Sequence, residues 1–232
     1  MSSAEKKIKN ENLGNFTTNL SRFSCNYLAR FGIAGVVVYA CWIAIVNYNY
    51  WFSWHIILCT FGYVPLMAES IMLFNNDELW STQMSRTAKY TVHGAVVSVA
   101  TMMILVGDIL VFRYLEPGYH LYTTHGIAGL ISLLLILLSI PAGLVIKYHR
   151  ELNPRLSTKL IWVKAVHNVL GTAGYAVGII SLTYAFYTNW FVYYTDRASR
   201  LVALIVTFLA GAWTMNGAVV SLYHQIRSIY SR

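Results

Sequence analysis

Residues 122–146 read YTTHGIAGLISLLLILLSIPAGLVI and contain no charged side chain. A transmembrane helix needs about 20 consecutive apolar residues to cross the hydrocarbon core of a bilayer, so this stretch predicts a membrane span. Five further apolar stretches have comparable length, and short polar connections separate them. The six predicted spans cover residues 30–47, 54–74, 89–112, 122–146, 162–187 and 200–222.

The composition of the whole chain also indicates a membrane protein. Of its 232 residues, 57% are hydrophobic and 11% are charged, and the mean hydropathy is +0.52, whereas a soluble domain carries about 25% charged residues. No connection is long enough for a Rossmann or flavin module, which needs about 100 residues of its own. We therefore predict an all-α integral membrane protein, in which a six-helix bundle (29–224) lies between a polar N-terminal tail (1–28) and a short C-terminal tail (225–232).

Basic residues lie mainly on one side of the predicted bundle. Of the 17 Lys and Arg residues, all but Arg113, Arg197 and Arg200 fall in or beside tails and connections that share one face. The positive-inside rule assigns this face to the cytoplasm, so we expect both termini to be cytoplasmic. The asymmetry accounts for the net charge of +8 without a nucleic-acid partner.

Four of the seven histidines lie near the N-terminal ends of four consecutive spans: His55, His93, His125 and His167. Because successive spans are antiparallel, His55 and His125 share the non-cytoplasmic side, and His93 and His167 share the cytoplasmic side. Two imidazoles at one depth can face each other across a bundle, as bis-histidine ligation of a haem requires. The pattern predicts two haem b groups, one near each face. Zinc is a weaker alternative, because neither pair has the third or fourth ligand that zinc normally takes.

Small residues beside the histidines would let a porphyrin approach the backbone. These small residues are Gly94, Gly126, Gly129, Gly171 and Gly174. The rise of the helices separates the two expected irons by roughly 20 Å along the membrane normal. The sequence Tyr-Thr-Val-His-Gly at 90–94 also recurs as Tyr-Thr-Thr-His-Gly at 122–126.

The chain resembles the cytochrome b561 family in its six spans, in its histidine pattern and in three short stretches. These stretches are FSWH (52–55), EPGYHLYTTHG (116–126) and KAVHN (164–168). The resemblance implies two haem b groups that His55, His93, His125 and His167 ligate. It also implies cytoplasmic ascorbate as the electron donor, and monodehydroascorbate or ferric iron as the acceptor on the other side. A homodimer and an endoplasmic reticulum or vesicle membrane are further implications.

Four cations surround the cytoplasmic histidine pair: Arg86, Lys89, Lys159 and Lys164. They are candidates to bind ascorbate or a haem propionate through charge-assisted hydrogen bonds. Alternatively, they are topology signals that meet anionic lipid. Members of the resembled family carry lysines before the third-span ligand and an arginine before the fifth-span ligand, so the match here is in kind and not in register.

Two residues on the non-cytoplasmic side are candidates for the acceptor site. His120 lies five positions before His125, and it could bind ferric iron, deliver a proton or contact the haem edge. Tyr122 could support any of these roles. A plain interfacial histidine is the alternative.

Glu69 and Asp108 are acidic residues inside predicted spans, where an unpaired charge costs about 2.5–3.5 kcal/mol at the bilayer centre. We expect them to be proton-linked, ion-paired to Arg86 or Lys89, or snorkelling towards an interface. Cys59 lies in an apolar run and is expected to be a buried inert thiol.

Together these features predict a transmembrane oxidoreductase that passes electrons from cytoplasmic ascorbate to a small acceptor on the other side. The first alternative is a haem-bearing subunit that a protein reductase feeds. The second belongs to another class, a haem-free proton-coupled transporter that uses Glu69, Asp108 and the histidines.

Overall fold

The computed structural model describes the backbone of residues 3–75, 79–152 and 160–231, and the side chains of 17–18, 20–75, 80–149 and 160–231. All regular secondary structure in these ranges is helical. Six helices are long and apolar enough to cross a membrane, which confirms the six predicted spans. The spans are Leu20–Val46, Tyr50–Met72, Arg86–Tyr114, Thr124–His149, Leu160–Ala185 and Arg197–Tyr230.

Several helices extend beyond the predicted membrane segments. The first span belongs to a helix that begins at Ser3 and ends at Val46, and the fourth belongs to the helix Thr124–Leu152. Two short helices, Leu79–Thr82 and Asn189–Tyr194, lie in the connections on opposite sides of the bundle. The division of the chain into two tails and one membrane domain stays a prediction.

The second span changes its helical geometry in the middle. It is α-helical over Tyr50–Phe61 and Ala68–Met72, and π-helical over Gly62–Met67. The π segment contains Pro65, whose ring removes a backbone donor and disturbs the regular α-helical ladder.

The six spans form a bundle in which most neighbours in space are neighbours in sequence, and the second span also contacts the fifth and the sixth. The fourth and fifth spans pack along most of their length, the second packs on the third, and the fifth packs on the sixth. The first span contacts both the sixth and the second, while the third and fourth meet only sparingly. Spans two to five therefore enclose the interior that the histidines face, and the first and sixth spans support it from one side.

Hydrogen bonds join three spans at the centre of the bundle. The Tyr63 hydroxyl lies 2.8 Å from Ser132 Oγ, which donates to the Gly174 carbonyl at 2.6 Å. A Cβ on Gly178 would lie 2.2 Å from a ring carbon of Tyr63, so glycine is needed for this ring to pack against the fifth span. This central layer separates the two histidine pairs.

An ion pair inside the membrane joins the first and second spans. Arg30 donates to both carboxylate oxygens of Glu69, with Nε···Oε1 at 2.6 Å and Nη2···Oε2 at 2.9 Å. The expected pairing of Glu69 with Arg86 or Lys89 is therefore wrong. The first span, whose rotation the sequence pattern did not specify, supplies the partner.

Side-chain hydrogen bonds cap the N-terminal ends of several helices, and two examples are at the third and sixth spans. Ser85 accepts from the Ala88 amide at the start of the third span, and Asp196 accepts from the Ser199 amide at the start of the sixth. The hydrogen bonds from Ser199 hold the pKa of the exposed Asp196 carboxyl below its usual value. Both caps satisfy amides that lack a partner within the helix.

Candidate haem-binding sites

The four predicted histidines form two facing pairs. The ring centroids of His55 on the second span and His125 on the fourth lie 6.0 Å apart, with an angle of 70° between the ring planes. Those of His93 on the third span and His167 on the fifth lie 6.2 Å apart, with an angle of 82°. Each pair therefore joins alternate spans, as the antiparallel order of the helices requires.

Each of the four imidazoles has Nδ1 within hydrogen-bonding distance of a backbone carbonyl on another span. The Nδ1···O distance is 3.1 Å for His55 and 3.0 Å for the other three. The acceptors, in the order His55, His93, His125 and His167, are Gly107, Ser70, Ser181 and Ser139. A carbonyl can only accept, so this bond favours the tautomer with the proton on Nδ1 and leaves the Nε2 lone pair free for a metal.

These hydrogen bonds are reciprocal between helix pairs. The second span positions His93 of the third through Ser70, and the third positions His55 of the second through Gly107. The fourth and fifth spans exchange the corresponding bonds through Ser139 and Ser181. On every one of the four spans the histidine and the accepting carbonyl are 14 or 15 positions apart, which is about 21 Å of α-helix.

The geometry of both pairs fits a metal held between two imidazoles. A metal–nitrogen bond of about 2 Å on each side, with roughly 1 Å from nitrogen to ring centroid, separates the two centroids by about 6 Å. The observed separations are 6.0 and 6.2 Å. The donor set of two neutral imidazoles is also one that haem iron accepts.

Open space adjoins the non-cytoplasmic pair. A cavity of about 390 Å³ is lined by His55, His125 and aromatic residues such as Phe52, Phe112 and Trp190. Beside the cytoplasmic pair, a Cβ added at Gly94 or Gly171 would meet no atom within 4 Å. An apolar, aromatic-lined cavity suits a flat macrocycle.

The predicted glycines divide into two groups. Gly94, Gly126 and Gly171 agree with the expected role of giving a porphyrin access to the backbone. An added Cβ would meet nothing within 4 Å at Gly94 and Gly171, and it would make only ordinary contacts at Gly126. A Cβ on Gly174 would lie 2.9 Å from Ile136, and one on Gly129 would lie 3.3 Å from Ser181 Oγ, so these two permit close helix packing instead.

Two further glycines control the histidines themselves. A Cβ on Gly143 would lie 3.0 Å from His167 Cε1, so this glycine allows the ring to approach the fourth span. A Cβ on Gly107 would lie 2.7 Å from Cys59 Sγ, and the carbonyl of the same glycine accepts from His55. Sequence reasoning missed both, because neither glycine adjoins a histidine in the chain.

Cys59 and Asp108 add a thiol and a carboxyl group to the surroundings of His55. Cys59 Sγ lies 3.6 Å from His55 Nδ1 and donates to Asp108 Oδ1 at 3.5 Å, while Asp108 Oδ1 lies 3.8 Å from the same Nδ1. These three groups are close enough to hold a metal ion. However, the Nδ1 atom has its proton committed to Gly107 and offers no lone pair, so the cluster fits an outer layer around His55 better than a separate metal centre.

Two of the four predicted cytoplasmic cations lie within electrostatic range of each other. Lys164 lies close enough to Arg86 for their charges to repel. Lys89 instead donates to Ser81 Oγ at 3.2 Å. Lys159 lies outside the described residues.

The predicted acceptor residues lie at the edge of the non-cytoplasmic cavity. His120 and Tyr122 both line it; Tyr122 is 79% exposed, whereas His120 Nε2 is buried without a hydrogen-bond partner. Between them, Leu121 has a φ of 54°, a left-handed conformation that a branched side chain adopts only with strain. The ring of His120 packs against Phe112 with a centroid separation of 5.2 Å.

Comparison with known proteins places this geometry in a family. Residues 54–193, which include all four histidines, match the family model described as eukaryotic cytochrome b561. Transmembrane reductase CYB561D2 of Mus musculus is 29% identical over 71% of this chain and 74% of that protein. The protein of the same name from Bos taurus is 31% identical over the same shares.

A second kind of reductase is a more distant relative. Plasma membrane ascorbate-dependent reductase CYBRD1 of Mus musculus is 24% identical over 40% of this chain and 32% of that protein. No solved structure matches the chain significantly. The match over 54–193 and the similarity to the reductases together mean that this multi-pass membrane protein, an oxidoreductase that carries haem b and transfers electrons across the membrane, belongs to the cytochrome b561 family.

Proposed function

We propose that the protein oxidises cytoplasmic ascorbate and reduces monodehydroascorbate or ferric iron on the opposite side of the membrane. His93 and His167 hold one haem b near the cytoplasm, and His55 and His125 hold a second near the other face. Both termini are cytoplasmic in this proposal, and the membrane is that of the endoplasmic reticulum or of a vesicle. A homodimer is the proposed assembly.

The observation that carries the proposal is the common environment of the four imidazoles. Each is oriented by one backbone carbonyl through Nδ1, and each faces a second imidazole at a centroid distance near 6 Å. Four unrelated interfacial histidines would not share both features. A bound haem supplies one-electron redox chemistry, which no side chain at these positions can provide.

The protein itself supplies ligation, spacing and exclusion of water. Carbonyl acceptors fix the ring orientation of each ligand, and outer hydrogen bonds of this kind also raise ligand basicity. The central layer around Tyr63 and Ser132 fills the space between the two pairs with buried side chains. The distance between the two histidine pairs is therefore set by the rise of the helices and not by the loops.

Arg86 and Lys164 support ascorbate as the donor. Like charges near each other repel, and an anion bound between Arg86 and Lys164 would relieve that repulsion. Ascorbate is a monoanion at neutral pH, and a haem propionate has the same charge. The name of the mouse relative CYBRD1 describes that protein as ascorbate-dependent, which makes an organic monoanion the first ligand to test.

His120 supports an acceptor site at the other face. The residue lines the cavity that His55 and His125 also line, and its Nε2 atom is buried without a partner among the described residues. An imidazole nitrogen can ligate ferric iron or donate to an oxygen of monodehydroascorbate.

Haem stoichiometry in single-histidine variants tests the two sites. The purified protein is expected to bind two haem b groups per chain, both reducible by ascorbate without an added protein. His93→Ala and His167→Ala should each lose the same haem and retain the other, whereas His224→Ala, at an exposed position on the sixth span, should retain both. One haem in the unmodified protein, or different haems lost in the two variants, would contradict the pairing.

Charge-removing variants test the donor site separately. Arg86→Gln and Lys164→Gln should each raise the ascorbate concentration needed for half-reduction by about tenfold, since each removes a charge-assisted hydrogen bond. Dithionite should still reduce both haems in these variants. Lys147→Gln, with the same loss of charge at the cytoplasmic end of the fourth span, is the matched control. Equal ascorbate dependence in all three variants would exclude this cluster as the donor site.

Reduction by ascorbate alone also distinguishes the proposal from a haem-bearing subunit that a protein reductase feeds. Such a subunit would be reduced only after the partner protein is added. Membership of a haem b family argues against the haem-free transporter.

A further inference from the structure

We propose that the Asp108 carboxylate, held by Cys59, lowers the reduction potential of the haem at His55 and His125 relative to that at His93 and His167. Asp108 is in this view a positioning residue that acts through His55, and the inference rests on the proposed haem sites. The site at His55 and His125, once reduced, would then be a stronger reductant for the acceptor.

The geometry around His55 supports an electrostatic role. Asp108 Oδ1 lies 3.8 Å from His55 Nδ1, and the two side chains are only 20% and 12% exposed. Within the described residues, His55 is the one basic side chain within salt-bridge distance of Asp108. The Cys59 thiol donates to the same carboxylate oxygen at 3.5 Å, which fixes the carboxylate beside the ring.

Among the residues that the structure describes, no carboxylate lies within salt-bridge distance of the other three histidines. Asp108 directly follows the carbonyl that accepts from His55. The residues that follow the corresponding carbonyls for His93, His125 and His167 are Ile71, Leu182 and Ile140. The four histidine–carbonyl hydrogen bonds therefore share the same backbone arrangement. They differ in charge at one position, Asp108, which lies beside the hydrogen bond of His55.

A carboxylate at this position has two effects of the same sign. Its charge lies 3.8 Å from Nδ1, whose proton goes to the Gly107 carbonyl, and there it polarises the imidazole and increases electron donation to a metal at Nε2. Its charge also stabilises the more positive, oxidised state of the metal across an interior of low dielectric constant. An intramembrane carboxylate is costly to retain, which is consistent with a functional role.

Potentiometric titration of charge-neutral variants tests the proposal. Asp108→Asn should retain two haems per chain, and one of the two midpoint potentials should rise. The expected change is about tenfold in the equilibrium between reduced and oxidised forms, or about 59 mV for a one-electron couple. Repeating the titration in a His93→Ala background, which leaves the His55 and His125 haem alone, identifies the haem that shifts.

Two variants make the test specific. Asp108→Leu introduces the kind of aliphatic residue found at the other three sites, and it should give the same upward shift if Asn does not fold. Asp196→Asn removes one carboxylate at the same side of the membrane and should leave both potentials unchanged.

Unchanged potentials in Asp108→Asn and Asp108→Leu, with two haems bound, would overturn the inference and leave the proposed function standing. Equal shifts at both haems, or loss of haem in both variants, would also overturn it, because a structural role for Asp108 would then suffice. Absence of haem from the unmodified protein would instead refute the proposed function.

Discussion

Replacing Gly107 by alanine should displace His55 without changing any side chain that touches the cavity directly. The added Cβ would lie 2.7 Å from Cys59 Sγ, and the next nearest atoms are 3.5 Å away. Ordinary contacts between heavy atoms begin near 3.5 Å, so either the Cys59 thiol rotates or the second and third spans separate locally by about 1 Å. We expect the spans to separate, because the thiol is held by its hydrogen bond to Asp108. The Nδ1···O distance from His55 to Gly107, now 3.1 Å, would then exceed the range of a hydrogen bond.

The expected cost follows from the role of that hydrogen bond. Loss of an outer partner of a ligating histidine reduces metal affinity by about 10- to 100-fold, which corresponds to about 1.4–2.8 kcal/mol of binding free energy. Titration of haem into apoprotein, performed in a His93→Ala background that isolates the site, measures this loss. The cytoplasmic haem should be retained when Gly107→Ala is made alone.

A second substitution should restore the haem affinity that Gly107→Ala removes. Because Cys59 Sγ is, among the described residues, the one atom closer than 3.5 Å to the added Cβ, the double variant Gly107→Ala/Cys59→Ala should recover most of the lost affinity. Gly35→Ala, where an added Cβ meets nothing within 4 Å, is the control for a glycine substitution in a span. Unchanged affinity in Gly107→Ala would mean that the thiol rotates away, and failure of the double variant to recover would mean that the close contact is not the cause.

Two further predictions concern other contacts of the bundle. Arg30→Met and Glu69→Leu should each lower the free energy of unfolding by about 1.5–3 kcal/mol, because each removes the charge-assisted hydrogen bonds that join the first and second spans. In a thermal unfolding cycle the double variant should lose less than the sum of the two single losses, and strict additivity would contradict the pairing. Gly143→Ala should weaken the cytoplasmic haem by tilting the His167 ring, whose Cε1 would lie 3.0 Å from the new Cβ. Haem titration in a His55→Ala background measures the latter, and wild-type affinity there would contradict it.

The number of spans and the sharing of depth by the histidines could be predicted because both depend on position along the chain. Hydropathy marks where each span begins and ends, and the alternating direction of the spans assigns His55 and His125 to one side and His93 and His167 to the other. The family resemblance, confirmed by the match over residues 54–193, supplied the identity of the cofactor class.

Contacts that depend on the rotation of each helix could not be predicted in the same way. Arg30 was counted as a topology signal and is the partner of Glu69. Cys59 was expected to be inert and contacts Asp108. Depth along the membrane normal is encoded by hydropathy, but the direction in which a side chain leaves its helix depends on packing against neighbours.

The carbonyl partners of the histidines left a signal in the sequence that depth alone does not explain. Each histidine is followed, 14 or 15 positions later on its own span, by a serine or glycine whose carbonyl orients a histidine of the paired span. Small residues at helix interfaces let backbones approach closely, and a carbonyl can receive a side chain from the neighbouring helix only where the backbones are close. The spacing of histidine and small residue therefore specifies both the depth of each site and the helix face that must be turned towards the partner.

This reciprocity couples the two sites mechanically. Each member of a helix pair holds the histidine of the other, so sliding one span along its neighbour would break a hydrogen bond at both faces of the membrane at once. On each span a rigid length of helix joins one imidazole to one accepting carbonyl. A shift of the span that improved the hydrogen bond at one site would therefore also move the group that it contributes to the other site. Four helices together thus fix the distance between the two sites. Transfer of electrons across a bilayer requires such a fixed distance.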